Sequence, residues 1–141
     1  MTTATQAISA VFSIIWASSL KTEISGSVRR YSRMINSEKE DIVINSLPID
    51  FDQLQSGVLN VNIHVPNPKY TTIIDGKTQT LQDLPNEARL NTLCNMFSGL
   101  FATPYYNDGV YIEMQQQLVL AGEDSKSTFI NNRLNIRAKN L

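Results

Sequence analysis

One stretch limits the fold more than any other: GVLNVNIHVPNP, in which Leu59, Val61, Ile63 and Val65 alternate with Asn60, Asn62 and His64. A period of two puts the apolar side chains on one side of an extended strand and the polar ones on the other. The spacing predicts a strand over residues 58–65, in a sheet with one covered and one open face. Pro66 and Pro68 end it, because neither supplies a ladder N–H.

Two segments have the pattern needed to cover such a face. Over residues 5–24, Ile8, Val11, Phe12, Ile15, Trp16 and Leu20 recur at helical spacing, with Gln6, Ser9, Ser13 and Lys21 opposite. Gly26 is placed to end this helix with a positive φ. A second helix is predicted from a cap at Asp83, through Pro85 and Glu87 in its first turn, to Phe101. Its stripe is Leu90, Leu93, Cys94, Phe97, Leu100 and Phe101.

The remaining segments read as strands and turns. Residues 27–34 form a polar, arginine-bearing extended stretch, 36–41 a charged connection, and 42–47 a β-branched strand closed by Pro48. Within residues 70–81, Asp75 and Gly76 suit a two-residue hairpin turn, so that 67–82 becomes a projecting arm. Asn107, Asp108 and Gly109 turn the chain into two closing strands, 110–120 and 127–138. The fold class is α+β, ordered α-β-β-β-(hairpin arm)-α-β-β, with both helices on one face of a mainly antiparallel sheet. At 141 residues, one domain spanning 1–141 is expected, burying roughly two-thirds of its unfolded surface.

Composition narrows the function classes. A net charge of -1 leaves no basic field to hold phosphates by counterion release. Cys94 is the only cysteine, so no internal disulfide forms. The apolar run 7–17 is too short to span a bilayer and lacks the basic flank of a secretory signal, so use without export is expected.

Catalytic and metal chemistry find little footing. His64 is the only histidine and sits apart from Cys94, so neither a triad nor an imidazole metal cluster is assembled from them. Cys94 lies in an apolar stripe that packs a thiol as a small hydrophobe. Glu38, Glu40 and Asp41 lack the spacing of a calcium loop and read as a solvated turn. No phosphate-binding glycine loop or nucleophile elbow is present. The expectation is a protein that is not an enzyme, with no catalytic residue, metal or cofactor.

The candidate functional residues are instead contact residues. Arg29 and Arg33 share one side of the extended stretch 27–34, either as a charge-blunted edge or as partners for acids of a neighbouring subunit. Tyr70, Ile73 and Ile74 in the arm, and Tyr105 with Tyr106, are hard to absorb into one small core; they read either as contact surfaces or as loops packed back on their own domain.

The order of elements, carried by the N-terminal helix, SGSVRRYSRMINSEKEDIVINSLPI, GVLNVNIHVPNP and the helix DLPNEARLNTLCNMFSGLF before two closing strands, resembles the tail-terminator and tail-completion proteins of tailed-bacteriophage necks. The resemblance covers about residues 5–138. It implies a homo-oligomeric ring, commonly of about six copies, that ends the tail tube and joins it to the head. The implied partners are the tail tube protein and the head connector or neck proteins, with DNA passing through unbound and no membrane involved. The implied location is the virion neck, after assembly in the host cytoplasm. A head-closure or connector ring is the alternative within the class. Outside it stand a monomeric module that binds through an exposed strand edge, and an enzyme of unrecognised chemistry.

Overall fold

The computed structural model describes residues 2–139. Three helices and eight strands follow in the order α1 (Ala4–Trp16), α2 (Ser19–Glu23), β1 (Val28–Arg30), β2 (Asp41–Ser46), β3 (Leu54–Pro66), β4 (Tyr70–Ile74), β5 (Lys77–Leu81), α3 (Glu87–Leu100), β6 (Tyr105–Asn107), β7 (Val110–Ala121) and β8 (Ser127–Lys139). Six strands form one sheet in the order β1-β2-β3-β8-β7-β6, while β4 and β5 pair only with each other. All pairings are antiparallel except β1 with β2. The α+β class agrees with the sequence reading.

The alternation in β3 decides which face is covered. Its partners continue each row: Ile42, Ile63 and Ile130 lie side by side, as do Leu59 and Leu134, and then Gly57, Ile136 and Ile112. These residues join Ile8, Val11 and Ile15 of α1 and Leu90, Leu93 and Phe97 of α3 in one buried cluster. Burying that stripe is the main term holding helices to sheet, at about 25 cal/mol per Å² of apolar surface. The open face carries Asn45, Asn60, Asn62, Asn131, Arg133 and Asn135, as the register requires.

The N-terminal segment departs from a single helix over 5–24. Thr3 and Gln6 cap α1 reciprocally, but the hydroxyl of Ser18 donates to the Ile15 carbonyl at 2.6 Å, and Ser18 itself is extended. A serine that bonds its own backbone favours such a break. Both pieces stay amphipathic, with Leu20 and Ile24 still buried. Gly26 is needed for a reason other than the expected positive φ: a Cβ there would lie 2.1 Å from Asp41 Oδ1 and 2.3 Å from the Glu40 carbonyl oxygen.

Four further boundaries move. The stretch 27–34 is strand only over Val28–Arg30, because Tyr31 takes φ +73° and turns the chain away. The long strand begins at Leu54, four residues early, since Asp50 accepts from the backbone and hydroxyl of Ser56 and organises the entry. The cap of α3 is Asn86, whose side chain accepts from Arg89 N; Asp83 is engaged by Tyr70 instead. Finally, β6 is a strand that the sequence reading missed. It pairs with β7 across a two-residue turn with Asp108 at φ +50° and Gly109 at φ +76°.

Candidate assembly interface

Asp75 and Gly76 adopt φ +51° and +77°, the left-handed pair of a type I′ turn, so the arm bends back tightly on itself. Its base is clamped. Asn67 Nδ2 donates to the Gln82 carbonyl at 3.1 Å, and Gln82 Nε2 returns a bond to the Asn67 carbonyl at 2.7 Å. Thr128 adds a 2.8 Å hydrogen bond to Asn67 Oδ1, and Asn67 N reaches the Lys126 carbonyl, fixing the base to the β7–β8 end of the sheet. Beyond this base the strands lie in solvent: residues 77–80 are all exposed, and Ile73 is 71% exposed. A two-stranded ribbon standing by itself is marginal in water.

The second feature is the free edge of β7. Strand β6 covers only Val110–Ile112 as partner, so β7 beyond Ile112 has no strand on that side among the described residues. A bulge at Gln115 falls between Met114, paired with Leu134, and Gln116, paired with Arg133. One extra residue reverses which side each later side chain faces. Gln117 thereby points inward, where its Nε2 donates to Asn132 Oδ1 at 2.7 Å, and Asn132 Nδ2 donates to the Val61 carbonyl. Leu118 and Leu120 are left on the open face. Leu118, Val119 and Leu120 are 47%, 49% and 44% exposed, three consecutive apolar residues on an unpaired edge. Native sheets usually charge or cover such an edge.

The residues singled out from sequence fall in three places. Arg29, half-buried on β1, lies in register with Val43 at the opposite edge of the sheet from β6. Arg33 does not share the Arg29 strand face as expected, because the strand has ended before it. It bonds Asp41 at 2.8 Å and the Lys39 carbonyl at 2.7 Å within its own chain. Tyr70 is half-buried and donates to Asp83 at 2.7 Å; Ile73 and Ile74 project from the arm. Tyr105 is half-buried against the core, whereas Tyr106 is 70% exposed on β6. The edge residues Leu118, Val119 and Leu120 were not singled out from sequence; the signal was there in QQQLVLA, where alternation gives way to a short apolar run.

The titratable groups are tied into structure. Burial pushes the Asp41 carboxyl up, but hydrogen bonds from Ser37, Arg33 and Ser27 outweigh it and hold it below its ordinary value. Burial, then the Arg33 charge, pushes His64 below its ordinary value; its ring lies 5.5 Å from Phe129. Burial raises the Cys94 thiol. Arg89 makes a two-pronged bond to Glu40 at 2.6 and 2.9 Å and another to Glu23 at 2.6 Å, joining α3 to α2 and to the entry of β2. Among the described residues no three His, Cys, Asp or Glu side chains are grouped to hold a metal ion. No helix of the described chain is long and apolar enough to cross a membrane.

No protein-family model matches the chain, and no curated protein matches it.

Proposed function

We propose that this protein is a structural assembly subunit of a tailed-phage neck, working as a ring that terminates the tail tube and joins it to the head. The observation that carries the assembly reading is the presence of two unlike unsatisfied surfaces on one subunit, a detached hairpin and an apolar sheet edge. A surface that is self-complementary gives a twofold dimer, whereas two unlike surfaces give head-to-tail contacts that close into rings or run on as filaments. The neck placement rests on the resemblance in element order and sequence stretches. The open face of the sheet is rich in asparagine and has few cations, Arg133 and Arg137 among them, which suits a wall along which DNA slides without being held.

A second reading has an observation of its own: the free edge of β7 also suits a monomeric module that takes up an extended peptide as an added strand. Labelling isolated tail tubes with the gold-tagged protein separates the two. A single label cluster at one tube end is expected from a terminator, and labels scattered along the tube or absent from it would overturn the neck assignment.

A further inference from the structure

The arm and the free edge match each other closely enough to name one occupant. We propose that strand β5 of one copy adds, antiparallel, to the free edge of β7 in the next copy, over residues 117–121. This deepens the ring reading and rests on it.

Room on the edge is the first argument. The arm strand Lys77–Leu81 has five residues, and the free edge of β7 past the bulge at Gln115 runs over residues 116–121, long enough to take it. Neither contains proline, so no ladder donor is missing. β5 is also the better-presented strand of the arm, because residues 77–80 are all exposed while Tyr70 and Thr72 of β4 are half-buried.

Side-chain order is the second. Antiparallel addition sets Lys77 opposite Ala121 and Leu81 opposite Gln117, and therefore Thr78 opposite Leu120. Thr78 is itself paired with Ile73 across the hairpin, and Leu120 with Phe129 across the sheet. The junction thus makes one row of Phe129, Leu120, Thr78 and Ile73, placing the most exposed arm isoleucine in line with the exposed apolar edge. Thr80 falls opposite Leu118 in the same way.

Placement is the third, because charge at this end is mixed: the register sets Lys77 diagonal to Glu123 but Asp75 of the turn opposite it. The arm base is fixed beside Lys126 and Thr128, at the end of the sheet where residues 117–121 also lie. Arm and edge are therefore presented at one level of the subunit, as a closed ring requires. An arm of five residues projects roughly 17 Å from that base.

The test uses two variants of the full chain. In the first, residues 70–81 are replaced by a short glycine-serine link, a change the Asn67–Gln82 clamp is placed to tolerate. In the second, Leu118→Lys and Leu120→Lys charge the edge at exposed positions. Circular dichroism checks that each is folded, and native mass spectrometry counts copies. Each variant alone is expected to be monomeric. An equal mixture is expected to give a one-to-one dimer, because one partner keeps only the edge and the other only the arm. If the arm-less variant assembles as the wild type does, this inference falls while the ring reading stands; a wild type that stays monomeric at every concentration overturns both. Should either variant fail to fold, Thr78→Cys with Leu120→Cys in a Cys94→Ser background replaces them. Oxidation of the assembled protein is expected to give a ladder of cross-linked chains, and an assembled protein that yields no ladder overturns the inference.

Discussion

Arg89→Met removes the charge that binds α3 to the rest of the fold while keeping an unbranched stem that suits a helix. Arg89 donates four hydrogen bonds of 2.6–2.9 Å: two to the Glu40 carboxylate, one to the Glu23 carboxylate and one to the Glu23 carbonyl. Glu40 is buried, so its half dominates, and a buried hydrogen bond to a charged group contributes about 1.5–3 kcal/mol net. Glu23 is more than a third exposed, which limits its half to less than about 1 kcal/mol. After the substitution Glu40 keeps only a 3.3 Å bond from Ser25 N and is left as a buried, uncompensated carboxylate. The expected loss is about 3 kcal/mol. With a urea slope of about 2 kcal/mol per molar, the midpoint falls by about 1.5 M. At fixed protein concentration, thermal melting falls by roughly 8 °C. Glu23→Gln should cost less than about 1 kcal/mol, and Glu40→Gln should cost less in the Arg89→Met background than alone. A loss below about 0.5 kcal/mol for Arg89→Met would refute the claim that this ion group fastens α3.

Further outcomes follow from single positions. Gly26→Ala should destabilise by more than about 2 kcal/mol in urea titration, because the added Cβ meets the Glu40 backbone oxygen as well as Asp41. Phe97→Ala opens a cavity in the middle of the core and should cost about 3–5 kcal/mol in the same assay. Asp41 has a depressed folded value, so its contribution is full above the ordinary carboxylate range and lost as pH falls through the folded value. Stability of Asp41→Asn, followed by urea titration across acid pH, should therefore lose part of the wild-type acid slope. His64 is also depressed, so the unfolded chain takes up its proton first and stability drops as pH falls below about 6.5; His64→Gln should flatten that portion of the profile.

The sequence made the covered face of the sheet legible because β3, α1 and α3 each repeat one period over many residues, and burial of the same face enforces all three. The hairpin was legible for a local reason, since Asp-Gly carries its own left-handed turn. Features set by single contacts escaped. Ser18 splits the first helix through one side-chain bond, and Arg33 left the predicted strand because Tyr31 turns with a positive φ that arginine-rich composition does not announce. The edge of β7 was hidden differently. Its exposure depends on how far β6 extends and on a bulge at Gln115, and both are tertiary facts that alternation within QQQLVLA does not encode. The Asp-Gly at 108–109 was read as a turn, but the strand before it was not. Its three residues are too short to show a period.

The central claim, head-to-tail assembly into a closed ring, is tested most directly by negative-stain microscopy of the wild-type protein across a concentration series, with light scattering to weigh the species. The account predicts rings with an open centre and a mass near 95 kDa, about six chains of 15.8 kDa. Monomers at every concentration, or compact twofold dimers without a central opening, would contradict it.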